Sequence, residues 1–207
     1  MTQQHPKHAT PDHPIHELIA HRWSPYAYAP RPVPEADLET CLEAARWAPS
    51  SYNDQPWTFL LARRQDEAEF ETMLSCLLPG NQAWAKDAGA LLLTVVRRRF
   101  AHNGNPNKAA EHDIGLAVGM LVVQATELGL HVHQMIGLDA EKARQTYGVP
   151  EGHDVLTAIA IGYADTSGER TDDLAARDAK ARSRRALAES VYSGRWGHPA
   201  FEERERP

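Results

Sequence analysis

Apolar residues recur at helical spacing in three stretches of the chain. From Glu35 to Trp47, Leu38, Cys41, Leu42 and Ala45 fall on one face, with Pro34 to start the helix and Pro49 beyond its end. Asp66 to Leu78 repeats the pattern with Phe70, Met73, Leu74 and Leu77. In His112 to Leu128 the stripe of Ile114, Ala117, Leu121, Ala125 and Leu128 is widened by Val118, Val122 and Val123, which predicts a helix covered on most sides, in the core or at a subunit interface. Four short runs, Trp57 to Ala62, Ala90 to Val96, His131 to Met135 and Leu156 to Gly162, read as strands. The second and fourth are almost uninterrupted in apolar residues and are expected at the centre of their sheet. Helices alternating with strands predict an α/β (α+β) domain in layers. Ala164 to Ala181 is charged and turn-rich, yet Leu187, Val191, Tyr192, Trp196 and Phe201 follow it without a regular period. Those residues need a surface to bury against.

The length of 207 residues and the absence of an internal repeat fit one domain. Residues 1–14 are polar and His-rich with no apolar leader core, and are expected to be a disordered segment ahead of a domain over 15–207. A net charge of −6 argues against nucleic acid, and no run approaches the ~18 apolar residues of a membrane span. Cys41 and Cys76 are too few and too far apart for a disulfide framework, so a reducing, cytoplasmic setting is expected. A Gly-x-Gly-x-x-Gly motif is absent, which argues against a Rossmann dinucleotide site.

Candidate chemistry concentrates in Pro49-Ser50-Ser51-Tyr52-Asn53-Asp54-Gln55-Pro56-Trp57. The two prolines stiffen this loop and push Ala48 and Gln55 toward extended geometry, while Asn53 and Gln55 offer paired amide donors and acceptors suited to a flavin pyrimidine edge. Ser50 and Ser51 either donate to a ligand or cap the helix end. Upstream stands His21-Arg22-Trp23-Ser24-Pro25-Tyr26. Arg97-Arg98-Arg99 reads as a strand end in water, or alternatively as an attractor for nucleotide phosphates before a Gly/Pro/Asn-rich lid at 102–107. His131 and His133 share a strand face without a supporting Cys or carboxylate pattern, and His5, His8, His13 and His16 lack ligand spacing. No metal site is expected.

The Arg22-Trp23-Ser24 element, the Pro49 to Trp57 loop, Asp113-Ile114-Gly115, His133-Gln134-Met135-Ile136-Gly137, Gly162-Tyr163, Arg184-Arg185-Ala186-Leu187 and Arg195-Trp196-Gly197 together resemble the nitroreductase family of FMN-dependent oxidoreductases. The resemblance runs over roughly residues 15–200. It implies a three-layer fold with a central sheet flanked by helices, and a C-terminal arm at about 182–207 exchanged in a homodimer with two interfacial flavins. It implies FMN contacts from Arg22, Trp23, Ser24, Tyr26, Pro49, Ser50, Ser51, Asn53, Gln55, Gln134, Met135, Gly137, Arg184 and Arg185. It implies hydride passing from NADH or NADPH through flavin N5 to a small acceptor, a nitroaromatic, quinone or enal, by a ping-pong mechanism with no catalytic side chain. The same contacts would serve a non-enzymatic flavin carrier, and family variants include reductive dehalogenases and flavin-modifying enzymes. Two departures stand out: Trp23 and Tyr26 occupy positions where basic residues are common, and the Pro-x-Glu-Gly element is missing from the N5 segment.

Overall fold

A computed structural model describes residues 5–167 and 172–201. Residues 1–4 of the N-terminal segment, 168–171, and 202–207 of the arm lie outside the described residues. Helix α1 (Glu17–His21) and α2 (Glu35–Arg46) lead into β1 (Trp57–Arg63), then α3 (Glu67–Ser75), α4 (Pro79–Ala85) and β2 (Ala90–Arg97). Helix α5 (Ala110–Glu127), β3 (His131–Met135), α6 (Ala140–Tyr147), β4 (His153–Gly162) and α7 (Asp173–Asp178) complete the order.

The four strands form one sheet in the order β1-β2-β4-β3, antiparallel throughout, with the two most apolar strands at its centre as expected. These two strands are apolar on both faces because both faces are covered. Leu91, Leu93 and Val95 of β2 pack with Phe70 and Met73 of α3 and Trp84 of α4, whereas Ala90, Leu92 and Val96 pack with Leu38 and Cys41 of α2 and Ile114, Ala117 and Leu121 of α5. Each such leucine contributes about 1.5–3 kcal/mol on burial. A bulge between Thr94 and Val95 shifts the register against β4, and the Thr94 hydroxyl fills it, accepting from Thr157 N–H at 3.0 Å and pairing with the Thr157 hydroxyl at 2.7 Å.

The helix expected over 66–78 stops at Ser75. Pro79 holds Leu78 extended (φ −69, ψ 151) and then opens α4 as its first residue, a helix the periodicity did not reveal. Helix α5 buries Ile114, Ala117, Val118, Leu121, Val122 and Ala125, but its outer stripe of Leu116, Met120 and Val123 is exposed. Among the described residues no helix is long and apolar enough to cross a membrane.

Residues 5–9 and Asp178 of α7 both reach the segment around α1 and just beyond it. Ala9 N–H donates to Ala20 O at 3.0 Å, and the His5 ring stacks on Trp23 with centroids 4.8 Å apart, contacts made within the segment expected to be disordered. From the other end, the buried carboxylate of Asp178 accepts from Tyr26 N–H at 3.0 Å and Ala27 N–H at 2.8 Å. Beyond it, Ala200 N–H donates to Val191 O at 3.0 Å and closes a loop that leaves Trp196 92% exposed.

Tyr28 is the buried pin of this arrangement, its hydroxyl donating to Ala160 O at 3.1 Å while Ala29 N–H donates to Tyr163 O at 2.9 Å. Gly162 permits that approach, since a Cβ there would stand 2.8 Å from Gly89 N and 3.2 Å from Tyr28 Cδ1. Backbone on one side and a buried ring on the other cannot both yield. Gly162→Ala is therefore expected to lower unfolding free energy by about 1–3 kcal/mol in a urea titration. An unchanged midpoint would show that the contact relaxes freely.

Candidate functional site

The first cluster is cationic. Arg22 leaves α1 with its Nη1 donating to Ser24 Oγ at 3.2 Å. The Arg182 guanidinium donates to the carbonyls of Ala20 and Arg22, and so sits beside the same segment. Burial, and then the charge of Arg184, lower the Arg22 pKa; burial, and then the charges of Arg22 and Arg184, do the same to Arg182. Two half-buried guanidinium groups and an exposed third whose charges act on one another make a site for an anion with several acceptor oxygens, of which phosphate is the usual example. Arg182 Nε is buried and has no hydrogen-bond partner among the described residues. Both residues of the expected pair are exposed, and Arg184 is the one whose charge acts on Arg22. Arg182 was not anticipated. No spacing along the chain marked it, because its partners Ala20 and Arg22 come from a segment far away in sequence.

Behind these cations lies an aromatic layer. Trp23 is buried between His5 and the edge of His131, whose centroid is 5.1 Å away. Tyr26 meets His133 at 4.7 Å and Trp84 at 5.5 Å, edge-on to both. Both residues, at positions where the resemblance makes basic side chains common, thus pack inward on the β3 histidines. His133 Nδ1 donates to Pro25 O at 2.7 Å, so that nitrogen carries the proton. His131 Nδ1 is buried without a hydrogen-bond partner among the described residues, and burial, followed by the charges of His5 and Arg22, pushes its pKa down to about 4. His131 is neutral at physiological pH.

At the end of β3, Gln134 is exposed and Met135 is buried, whereas the apolar Ile136 is 85% exposed. The chain turns there: Leu138 N–H donates to Ile136 O at 2.9 Å, and the Gly137 carbonyl accepts from Leu78 N–H at 3.0 Å and Asn81 Nδ2 at 2.9 Å. Asn81, unremarked in the sequence, holds this segment. A Cβ on Gly137 would lie 2.4 Å from Asn81 Nδ2, so glycine keeps the bond possible.

The loop from Pro49 to Trp57 forms the second cluster. Tyr52, Asn53 and Gln55 have φ of 53°, 52° and 48°. Gln55 is therefore left-handed, where the following proline predicted extended backbone. Three such non-glycine residues store strain of about 1–3 kcal/mol each, which persists only where the surroundings impose it. Here Ser50 Oγ accepts from Gln55 N–H at 3.0 Å, and the buried Asp113 of α5 accepts from Ser51 N–H at 3.0 Å. Asp54 accepts from Ala101 N–H at 2.8 Å and from Arg97 at 2.9 Å. Burial works against the Asp54 charge, but these bonds, together with the Arg97 charge, hold its pKa below the usual carboxylate range. Asn53 and Gln55 are left exposed at the loop's tip, beside a Tyr52 ring that meets Phe100 edge-on at 5.5 Å.

The three arginines at the end of β2 are structural. Arg97 fastens the loop, Arg98 pairs with Glu111 and Asp154 at 2.6 and 2.5 Å, and Arg99 donates to Gly104 O at 2.9 Å. The expected lid at 102–107 is tied down by bonds from Phe100 N–H to Asn105 O and from Asn107 N–H to Arg98 O.

The two clusters belong to different edges of the sheet. The loop enters β1, whereas Trp23, Tyr26 and the turn at Gly137 lie on β3, with β2 and β4 between them. Three strand spacings of ~4.8 Å separate the edge strands by about 14 Å.

A model of the nitroreductase family matches residues 19–163. A solved structure of an oxidoreductase containing FMN superimposes with a TM-score of 0.86 at 35% identity, covering 95% of this chain and 98% of that one. A Ralstonia nicotianae protein named provisionally as an NADH dehydrogenase/NAD(P)H nitroreductase is 27% identical over 176 residues, 75% of this chain and 86% of its own. A Thermus thermophilus NADH dehydrogenase is 27% identical over 171 residues, 68% and 82% of the respective chains.

The depressed His131 pKa carries a pH signature. A histidine that titrates near 4 when folded and near 6.5 when unfolded leaves stability constant above pH 6.5, and stability falls as pH drops from there toward 4, because the unfolded chain takes up the proton first. Over that window the native chain is expected to lose more stability than a His131→Gln variant, by at most ~3 kcal/mol. Denaturant titrations at pH 7 and pH 4.5 measure the difference. Equal losses would place His131 in water.

Proposed function

Because the chain belongs to the nitroreductase family, we propose that it is an FMN-dependent NAD(P)H oxidoreductase whose cofactor phosphate is held by Arg22, Ser24, Arg182 and Arg184. The observation that carries the assignment is the mutual charge effect of Arg22, Arg182 and Arg184 beside the Ser24 hydroxyl that Arg22 engages, with the buried Nε of Arg182 left without a partner among the described residues. A dianionic phosphate relieves the repulsion and supplies the missing acceptors. FMN held there would supply two-electron hydride chemistry between NADH or NADPH and a small acceptor such as a nitroaromatic, quinone or enal.

The chain's own residues bind and orient. Gln134, Met135 and Gly137 offer a backbone edge to the flavin ring, held in place by Asn81. Pro49, Ser50, Ser51, Asn53 and Gln55 present amides and backbone at the opposite edge of the sheet, so we infer that a second copy of the chain brings its loop to the first copy's cations. The homodimer also accounts for the exposed stripe of α5 and for the arm carrying Leu187, Trp196 and Phe201. Trp23 and Tyr26 support the site from behind. No side chain is assigned a proton-transfer role, and water serves the acceptor.

Arg22→Ala and Asn53→Ala are each expected to weaken FMN binding by about 1–3 kcal/mol, read by fluorescence titration of the apoprotein, while the fold survives. A protein that carries no FMN and takes up none would end the reading. With nicotinamide and acceptor using one site in turn, initial rates over a grid of NAD(P)H and a quinone should give parallel double-reciprocal lines. Intersecting lines would require a ternary complex and a second binding site.

A further inference from the structure

The N-terminal histidines lack ligand spacing along the sequence, but the fold brings one of them onto α1. Glu17 and His21 stand one turn apart on the same helical face, with Glu17 Oε2 3.5 Å from His21 Nδ1. Ligand atoms that share a tetrahedral ion at 2.0–2.1 Å stand about 3.4 Å apart, so this pair already has the separation of one edge of such a site. His8 supplies a third group. Its ring meets that of His21 edge-on with centroids 4.3 Å apart, and one ligand atom from each of His8, Glu17 and His21 lies within 4.8 Å of the others.

Backbone bonds hold His8 there. Its own N–H donates to His5 O at 2.8 Å, and the next residue, Ala9, donates to Ala20 O at 3.0 Å, which ties this stretch across the last turn of α1. The His8 side chain is not satisfied in return: Nδ1 is buried and has no hydrogen-bond partner among the described residues. A buried polar nitrogen without a partner costs free energy until a proton donor or a metal takes its lone pair.

We propose that His8, Glu17 and His21 form a site for one divalent transition-metal ion of the zinc class. Two imidazoles and a carboxylate with open positions beyond them suit zinc or cobalt, whereas calcium and magnesium prefer ligand sets made of oxygen. Glu17 and His21 are exposed, so an ion reaches them directly from solvent. The bound ion joins residue 8 to both ends of α1 and so fastens the N-terminal segment immediately before Arg22. The assignment is independent of the flavin reading, since none of its three ligands is placed in that site.

The test uses the untagged, full-length, FMN-loaded protein, titrated calorimetrically with Zn2+ and spectroscopically with Co2+. One ion per chain is expected, with tetrahedral Co2+ bands to the red of the flavin absorption. His8→Ala, Glu17→Gln and His21→Ala should each weaken Zn2+ binding at least about tenfold, the size of effect that even outer-sphere partners of metal ligands produce. Glu17→Gln keeps the helix polar and nearly isosteric, so its loss of binding does not reflect unfolding. His13→Gln, altering a histidine outside the cluster, should leave affinity unchanged. A native chain that binds no Zn2+, affinity retained in Glu17→Gln and His21→Ala, or an equal loss in His13→Gln would each overturn the proposal.

Discussion

Burial of both faces of β2 and β4 is the constraint from which the rest of the structure follows. Two adjacent antiparallel strands that are apolar on both sides require a layer of helices above and below, which α2 and α5 provide on one face and α3, α4 and α6 on the other. Once the central strands are enclosed, polar chemistry is confined to the edge strands and the loops at their ends. Both clusters of candidate residues are found there, one where the chain enters β1 and the other along β3.

Carboxylates fix the backbone at each cluster. Asp178 binds the amides of Tyr26 and Ala27 across about 150 residues of sequence, and so ties the C-terminal region to the segment that carries Arg22 and Ser24. Asp113 and Asp54 do the equivalent for the strained loop, the first by accepting from Ser51 and the second by engaging Arg97 and Ala101. Charge-assisted bonds are roughly twice as strong as neutral ones. Several of them acting together offset three left-handed residues and leave Asn53 and Gln55 exposed, the Gln55 amide donating to the Asn53 carbonyl at 3.0 Å.

The apolar surface of a single chain is incompletely used. Leu116, Met120 and Val123 form an exposed stripe on α5, Ile15 and Ile19 lie exposed at the N-terminal side, and Leu187, Trp196 and Phe201 are exposed on the arm. In the proposed homodimer the hydrophobic effect that drives association also delivers the second half of the cofactor site. Flavin retention and dimer stability are then linked, because anything that binds only the assembled form stabilises it.

The elements with strong periodicity were legible in the sequence. Strands β2 and β4 announced their central position through unbroken apolar runs, α2 and α5 through helical spacing, and the family through the Arg22-to-Ser24 and Pro49-to-Trp57 motifs. These features are local, and each depends on residues within a few positions of one another. Short helices were harder to see, since α4 and α6 offer too few turns for a period and α4 depends on Pro79 ending one helix and starting another. Contacts between distant segments belonged to the tertiary structure alone. Only the fold turned Arg97 into a loop fastener, recruited Arg182 to the cations, placed Asn81 under Gly137 and set His8 beside Glu17 and His21. Spacing along a chain records which residues can share a helix or strand face, whereas partners brought together by packing leave no mark in that spacing.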